Sequence, residues 1–169
     1  VYKRQVQHPS EVPAMLRDLG EAVGKLTAAE TYATAIESLL EEQPVSRSRT
    51  ALPLIWHDPL MAANGATYAG NMLACLGYHV PVIDPEGTGY PVVTPDTIVE
   101  HGITDLFLSS EPHEFTTAEG EALDAALQRR TESPPAIHFI DGEDLTWMGS
   151  RTAEALQRLR SCLLYTSPS

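Results

Sequence analysis

The spacing of apolar residues divides the start of the chain into two helices. Apolar side chains recur at helical intervals from Ser10 to Val23 and again from Thr27 to about Gln43, which predicts two helices. Glu30 follows Thr27 at the spacing of a capping box, a frequent signal of a helix start. At 1.5 Å per residue the second helix would be roughly 25 Å long. Pro44 is expected to end it.

From about residue 50 onwards, short apolar runs alternate with amphipathic segments. The runs predicted to be strands are Leu52–Trp56, Val80–Ile83, Leu106–Ser109 and Ala136–Ile140. The segments predicted to be helices are Gly65–Leu76, Pro95 to before Gly102 behind the cap Thr94, Thr116–Arg129 with a capping box, and a last one behind Ser150. This alternation predicts an α/β fold with a mostly parallel sheet of about four strands, flanked by helices.

Composition and charge narrow the classes of function. The formal net charge of −12 argues against nucleic acid, because phosphate binding requires clustered Lys and Arg. No run approaches the roughly 18 apolar residues of a membrane helix, and no signal peptide is recognisable. Of the two cysteines, Cys75 is predicted to be a buried thiol and Cys162 lies near the end, so a disulfide framework is not indicated.

Residues 1–8 and 162–169 continue no pattern beside them. They are predicted to be non-native or disordered ends, and the fold is inferred from the residues between them.

Candidate ligand contacts follow from the predicted sheet. In open α/β sheets, ligands bind outside the carboxyl ends of the strands. The loops expected there begin at Trp56, Asp84, Ser109 and Asp141. The aromatic and polar side chains that they contribute are Trp56, His57, Tyr90, Glu111 and Trp147. Rigid aromatic groups at a cleft suit a large, flat, partly apolar ligand.

Each of these candidates also has a structural interpretation. Trp56, at a strand end, is equally compatible with the core. His57 and Asp58 form a conceivable metal pair, although Asp before Pro is a common turn device. Glu111 either caps its loop or contacts a ligand. Ser109 and Ser110 lack the glycines of a nucleophile elbow, and no GxGxxG, P-loop, CxxC or HExxH motif is present.

Four segments together resemble the class III periplasmic binding proteins, the helical-backbone metal receptors of ABC importers for cobalamin, iron siderophores and haem. The segments are 54–61, 90–96, 108–112 and 141–152. The resemblance extends from about Glu11 to Arg160. It implies that 9–46 comprises the end of a first lobe and the connecting backbone helix, and that 50–161 is the C-terminal ligand-binding lobe. The first lobe would then lie outside this sequence.

The resemblance also implies roles for individual residues. Tyr90 matches a cleft aromatic that packs on the corrin ring in cobalamin-binding relatives. Asp96 matches a surface carboxylate, often Glu in the family, that docks on permease arginines. The implied protein is a non-enzymatic monomer that binds a metal chelate, holds no covalent cofactor and partners an ABC permease. It would be periplasmic or lipid-anchored outside the cytoplasm.

A different class of function remains open on the same architecture. A cytoplasmic metal-binding domain or metal-cluster enzyme would hold its metal with His57, Asp58 and Glu111, and Cys75 is a further candidate ligand. Cys75 is expected on a helix face, away from the loops that carry the other three.

Overall fold

The computed structural model describes residues 6–42 and 49–165, with side chains up to Ser161. Of the segment 1–8 predicted to be a non-native or disordered end, Val6 is buried in the core and His8 caps a short 3-10 turn, Pro9–Glu11. The last helix continues through Tyr165, into the predicted tail 162–169. Pro44 and the start of the following loop lie outside the described residues. None of the described helices is long and apolar enough to cross a membrane.

The first two predicted helices are present and pack on each other. Helix α1 spans Val12–Ala22 and α2 spans Leu26–Glu41. The capping box predicted at Thr27 is wrong, because α2 begins one residue earlier, behind Lys25, and no side chain caps it. Gly20 explains the close packing, since a Cβ there would lie 2.4 Å from that of Ala29.

One arginine ties the two helices together. Arg17 donates to Glu30 from Nε at 2.8 Å and to Glu37 from Nη1 at 2.7 Å. Hydrogen bonds from Arg17 lower the pKa of both carboxyls. These ion pairs are partly exposed, so they add little to the free energy of unfolding and mainly fix how α1 and α2 lie against each other.

The predicted α/β architecture is confirmed. The strands are β1 (Ala51–Trp56), β2 (Met61–Ala62), β3 (Asp105–Ser109) and β4 (Ala136–Ile140), and they form one four-stranded sheet in the order β2-β1-β3-β4. Strands β1, β3 and β4 are parallel, and β2 is antiparallel to β1. The helices of this part are α3 (Tyr68–Ala74), α4 (Pro95–Glu100), α5 (Thr117–Gln128), α6 (Gly142–Thr146) and α7 (Thr152–Tyr165).

Two local predictions are confirmed and two are wrong. Thr94 and Thr116 cap α4 and α5 through their side chains, as predicted. The segment Val80–Ile83 is not a strand, because the carbonyls of residues 81 and 83 accept from the backbone N–H of Gly65 and the side chain of Asn64 instead of from a neighbouring strand. The short β2 instead provides the fourth strand, and α6 forms within a segment predicted to be a loop.

Apolar side chains fill both faces of the sheet. One core joins Phe107 and the neighbouring side chains of α3, α6 and α7, and it also includes Ile36 of α2. The other core joins Leu106 and Leu108 to α4 and α5. Helix α2 therefore packs on the sheet domain and is not an isolated rod.

Candidate functional site

A cavity of about 700 Å³ opens at the edge where the parallel strands β1, β3 and β4 end. Ile55 at the end of β1 and Tyr68 at the start of α3 contribute to its wall. Tyr90, Pro112 and Met148 come from three different loops at this edge. The remaining lining residues are Val6, Gln7, Ala63, Ala66, Thr67, Ala69, Thr88 and Thr146. The lining is thus mainly apolar, with hydroxyl groups from Thr and Tyr.

A second cavity, of about 760 Å³, lies along the free edge of β4 and is covered by α7. Only Asp141 and Asp144 of the strand-end loops reach it. Because the loops of an open α/β sheet converge at the carboxyl edge, the first cavity is the candidate ligand site.

Of the five predicted contacts, the structure places Tyr90 in the wall of the candidate cavity, whereas the other four do not line it. Trp56, Tyr90 and Trp147 are 41%, 45% and 50% exposed, which is unusual for side chains of this size. Trp56 is therefore a surface residue and does not belong to the core. His57 is exposed beside it, and Glu111 lies directly before Pro112 of the cavity wall.

Polar contacts fix the orientation of Trp147. Its indole Nε1 donates to Glu111 Oε2 at 2.9 Å. The guanidinium of Arg151 lies 5.4 Å from the centre of the indole ring and forms an ion pair with Glu143. Glu111 thus joins the loops after β3 and β4, and the indole is held in place before any ligand binds.

A histidine pair lies next to Trp56. The rings of His57 and His113 stack with centroids 5.7 Å apart, and His113 Nε2 lies 3.1 Å from Glu119 Oε1. The backbone N–H of Thr116 is the main cause that holds the pKa of Glu119 below its usual value, and His113 adds to it. Sequence reasoning did not select His113, because nothing in the sequence showed that α5 would bring Glu119 beside it.

The metal pair considered for His57 and Asp58 gains no further ligands. Across residues 6–42 and 49–165, no group of three or more His, Cys, Asp and Glu side chains is arranged to hold a metal ion. Cys75 lies at the end of α3, half-buried, and burial raises the pKa of its thiol.

Asn64, which the sequence analysis missed, joins two loops of the cavity. Its side chain is fully buried, donates from Nδ2 to Ile83 O and accepts from Ala66 N at 2.9 Å. Its backbone N–H donates to Gly89 O at 2.9 Å. The loop that carries Tyr90 is therefore held beside the start of α3 by Asn64, through both its side-chain amide and its backbone N–H.

Replacing Asn64 with Ala should lower the free energy of unfolding by about 1–3 kcal/mol, since it leaves Ile83 O buried without its donor. We expect the amides of residues 84–90 to exchange faster with solvent while those of β3 do not change. Urea unfolding and hydrogen exchange would measure the two effects. Equal acceleration in β3 would show a global loss of stability and contradict the local role.

Tyr68 forms a buried part of the cavity wall. It is almost fully buried, and its hydroxyl lies 2.9 Å from Thr152 Oγ1 at the start of α7. Burial raises the pKa of Tyr68 to about 12. The phenol is therefore neutral at physiological pH and serves as a hydrogen-bonding wall group.

Asp96 lies away from the cavity, in the first turn of α4. Its side chain is 66% exposed and accepts from Arg130 Nε at 2.7 Å. The residue predicted to dock on a permease is thus accessible, and it already has an arginine partner within the chain.

Comparisons with known proteins place this geometry in a structural class. No protein-family model matches the chain, and no curated protein matches its sequence. A periplasmic heme-binding protein from Pseudomonas aeruginosa has a TM-score of 0.70 at 16% identity, with 96% of this chain and 62% of that protein covered. The periplasmic vitamin B12-binding protein BtuF of Vibrio cholerae has a TM-score of 0.65 at 15% identity, with 95% and 63% covered.

A possible iron-binding, periplasmic solute-binding protein from Staphylococcus epidermidis gives a TM-score of 0.68 at 16% identity, with 96% of this chain and 65% of that protein covered. At such low identity these likenesses establish the fold alone. The chain has the fold of the periplasmic solute-binding proteins, as the sequence motifs predicted. It spans less than two thirds of the length of each of these three structures.

Proposed function

We propose that this chain is part of the substrate-binding component of an ABC importer for a metal chelate such as cobalamin, haem or an iron–siderophore complex. Residues 50–161 would form one ligand-binding lobe, and 9–46 the end of the other lobe with the connecting helix. The observation that carries the proposal is the cavity at the carboxyl edge, with Tyr90 in its wall and two exposed tryptophans on the strand-end loops.

The chemistry of this edge favours binding over catalysis. A volume of about 700 Å³ lies within the usual range for small-molecule sites. Exposed aromatic rings at a cleft contribute large contact areas and lose little conformational freedom on binding. The fixed indole of Trp147 further reduces the ordering cost.

The packing of α2 supports its role as a stiff connection. Arg160 of α7 donates to Leu39 O at 2.6 Å and forms an ion pair with Glu42 at the end of α2. Ile36 is fully buried in the core shared with the sheet. Because α2 is held along its length, the second lobe would move with it as one body, which limits closure around a ligand.

Asp96 is the proposed contact with the permease. An exposed carboxylate can accept paired hydrogen bonds from an arginine of a partner, and Asp96 accepts one from Arg130 already. In membranes that contain the cognate permease, Asp96→Asn should weaken stimulation of its ATPase. Glu100→Gln, at the exposed end of the same helix, is the matched control.

Fluorescence titration of the full-length protein tests the ligand-binding proposal, because the exposed Trp56 and Trp147 directly follow residues 55 and 146 of the cavity wall. Cyanocobalamin, haemin and a ferric hydroxamate serve as probes. Saturable quenching with a Kd of about 1 μM or below for at least one probe is expected, equivalent to about 8 kcal/mol of binding free energy. Absence of saturable quenching by any of the three would contradict it.

A further inference from the structure

The charged side chains on the loops near the cavity bear on which chelates this lobe can bind. Resting on the proposed function, we infer that this lobe selects uncharged or cationic metal chelates, such as corrinoids and ferric hydroxamates, over polyanionic ones such as ferric tricatecholates. The cavity provides the apolar contacts, and the loops around it provide a negative potential.

Acidic side chains occur on each of the four strand-end loops, and none of them lines the cavity itself. They are Asp58, Asp84, Glu86, Glu111, Glu114, Asp141 and Glu143. Five of these residues are exposed, and Glu111 and Glu143 are half-buried. An excess of one charge sign on the loops at the edge where the cavity opens gives a ligand that enters it a negative potential.

Basic side chains do not balance these carboxylates. Residues 49–161 contain no lysine, and Arg151 is the one arginine of this segment that belongs to the strand-end loops. Arg151 is engaged, since it forms an ion pair with Glu143 and covers the ring of Trp147.

The other arginines of the segment lie outside the strand-end loops, and four of the five have carboxylate partners. Arg49 pairs with Asp105, Arg130 with Asp96, Arg158 with Asp144 and Arg160 with Glu42, while Arg129 follows the end of α5. Within the described part of this lobe, a polyanionic ligand would therefore meet carboxylates without a cation to compensate its charge.

The test is a panel of metal chelates that differ in charge. Full-length protein is titrated with a cationic ferric hydroxamate, a neutral ferric hydroxamate, cyanocobalamin and an anionic ferric tricatecholate. Among the two hydroxamates and cyanocobalamin, we expect the probe that binds most tightly to have a Kd at least about tenfold lower than that of the tricatecholate. Added salt should narrow the difference for the cationic probe, because it screens exposed charges.

A triple variant links the selectivity to the loops. Asp58→Asn, Asp84→Asn and Asp141→Asn together should reduce the preference for the cationic ferric hydroxamate over the anionic ferric tricatecholate at least threefold. The control variant carries Glu100→Gln, Asp124→Asn and Glu132→Gln, which lie outside the strand-end loops. It should keep the preference of the unmodified protein.

The outcomes separate the inference from the proposed function. Tighter binding of the tricatecholate than of every other probe, or a triple variant that behaves as the control, would overturn the charge selectivity and leave chelate binding intact. If no chelate binds, the proposed function fails and this inference fails with it.

Discussion

Replacing Asp105 with Ala is expected to lower the free energy of unfolding by about 3–5 kcal/mol, the range for removing one partner of a buried ionic group. Asp105 begins β3 and has no exposed surface. It accepts from His138 Nε2 and Thr104 Oγ1, each at 2.8 Å, and pairs with Arg49 Nη2 at 2.6 Å. Its removal would leave these donors facing a buried gap in the central strand.

Urea unfolding monitored by far-UV circular dichroism would measure this loss. Asp96→Ala is the control, because it removes a carboxylate whose ion pair with Arg130 is largely exposed. That change should cost no more than about 1 kcal/mol. Equal effects of the two substitutions would contradict the structural role assigned to Asp105.

The Asp105 contribution should also depend on pH. Burial raises the pKa of this carboxyl, but hydrogen bonds from His138 and Thr104 and the charge of Arg49 outweigh it, so the pKa lies below its usual value. The resulting stability is fully present above the unfolded pKa of about 4 and is lost as the pH falls through the lower folded pKa. The difference in stability between the unmodified chain and Asp105→Asn should therefore shrink on acidification below pH ~4.

Replacing Tyr90 with Ala in the full-length protein should weaken chelate binding at least about tenfold, equivalent to about 1.4 kcal/mol. Aromatic side chains in the wall of a ligand site frequently dominate binding energy, and Tyr90 lies in the cavity wall with 45% of its surface exposed. Tyr90→Phe retains the ring and should recover most of the affinity.

Tyr32 provides a matched control for this experiment. It is 47% exposed on α2 and does not line the cavity. Tyr32→Ala should leave the Kd unchanged in the same fluorescence titration. Similar losses from Tyr32→Ala and Tyr90→Ala would show that the cavity is not where the ligand binds.

Local sequence signals predicted much of the fold. The side chains of Thr94 and Thr116 cap their helices, and the alternation of apolar runs and amphipathic segments predicted the parallel sheet. The failures were also local. The apolar run Val80–Ile83 does not pair as a strand, since its carbonyls accept from Gly65 and Asn64, and the two-residue β2 was too short to produce a periodic pattern.

The candidate site was only partly accessible from the sequence. The rule that ligands bind at strand ends selected the loops, and aromatic content selected Tyr90 and Trp147. Asn64 was missed because its role depends on a contact with Ile83, which is distant in the sequence. His113 was missed because its contact with Glu119 depends on where α5 begins. Such contacts follow from tertiary packing and leave no periodic signal.

Hydrogen exchange of the full-length protein with and without a bound chelate tests the central claim most directly. The predicted result is protection of amides in the strand-end loops that include Trp56, Tyr90, Pro112 and Met148, with no change in residues 129–135 at the opposite end of the sheet. Protection confined to 129–135, or to the β4 and α7 groove, would contradict the assignment of the cavity at the carboxyl edge as the ligand site.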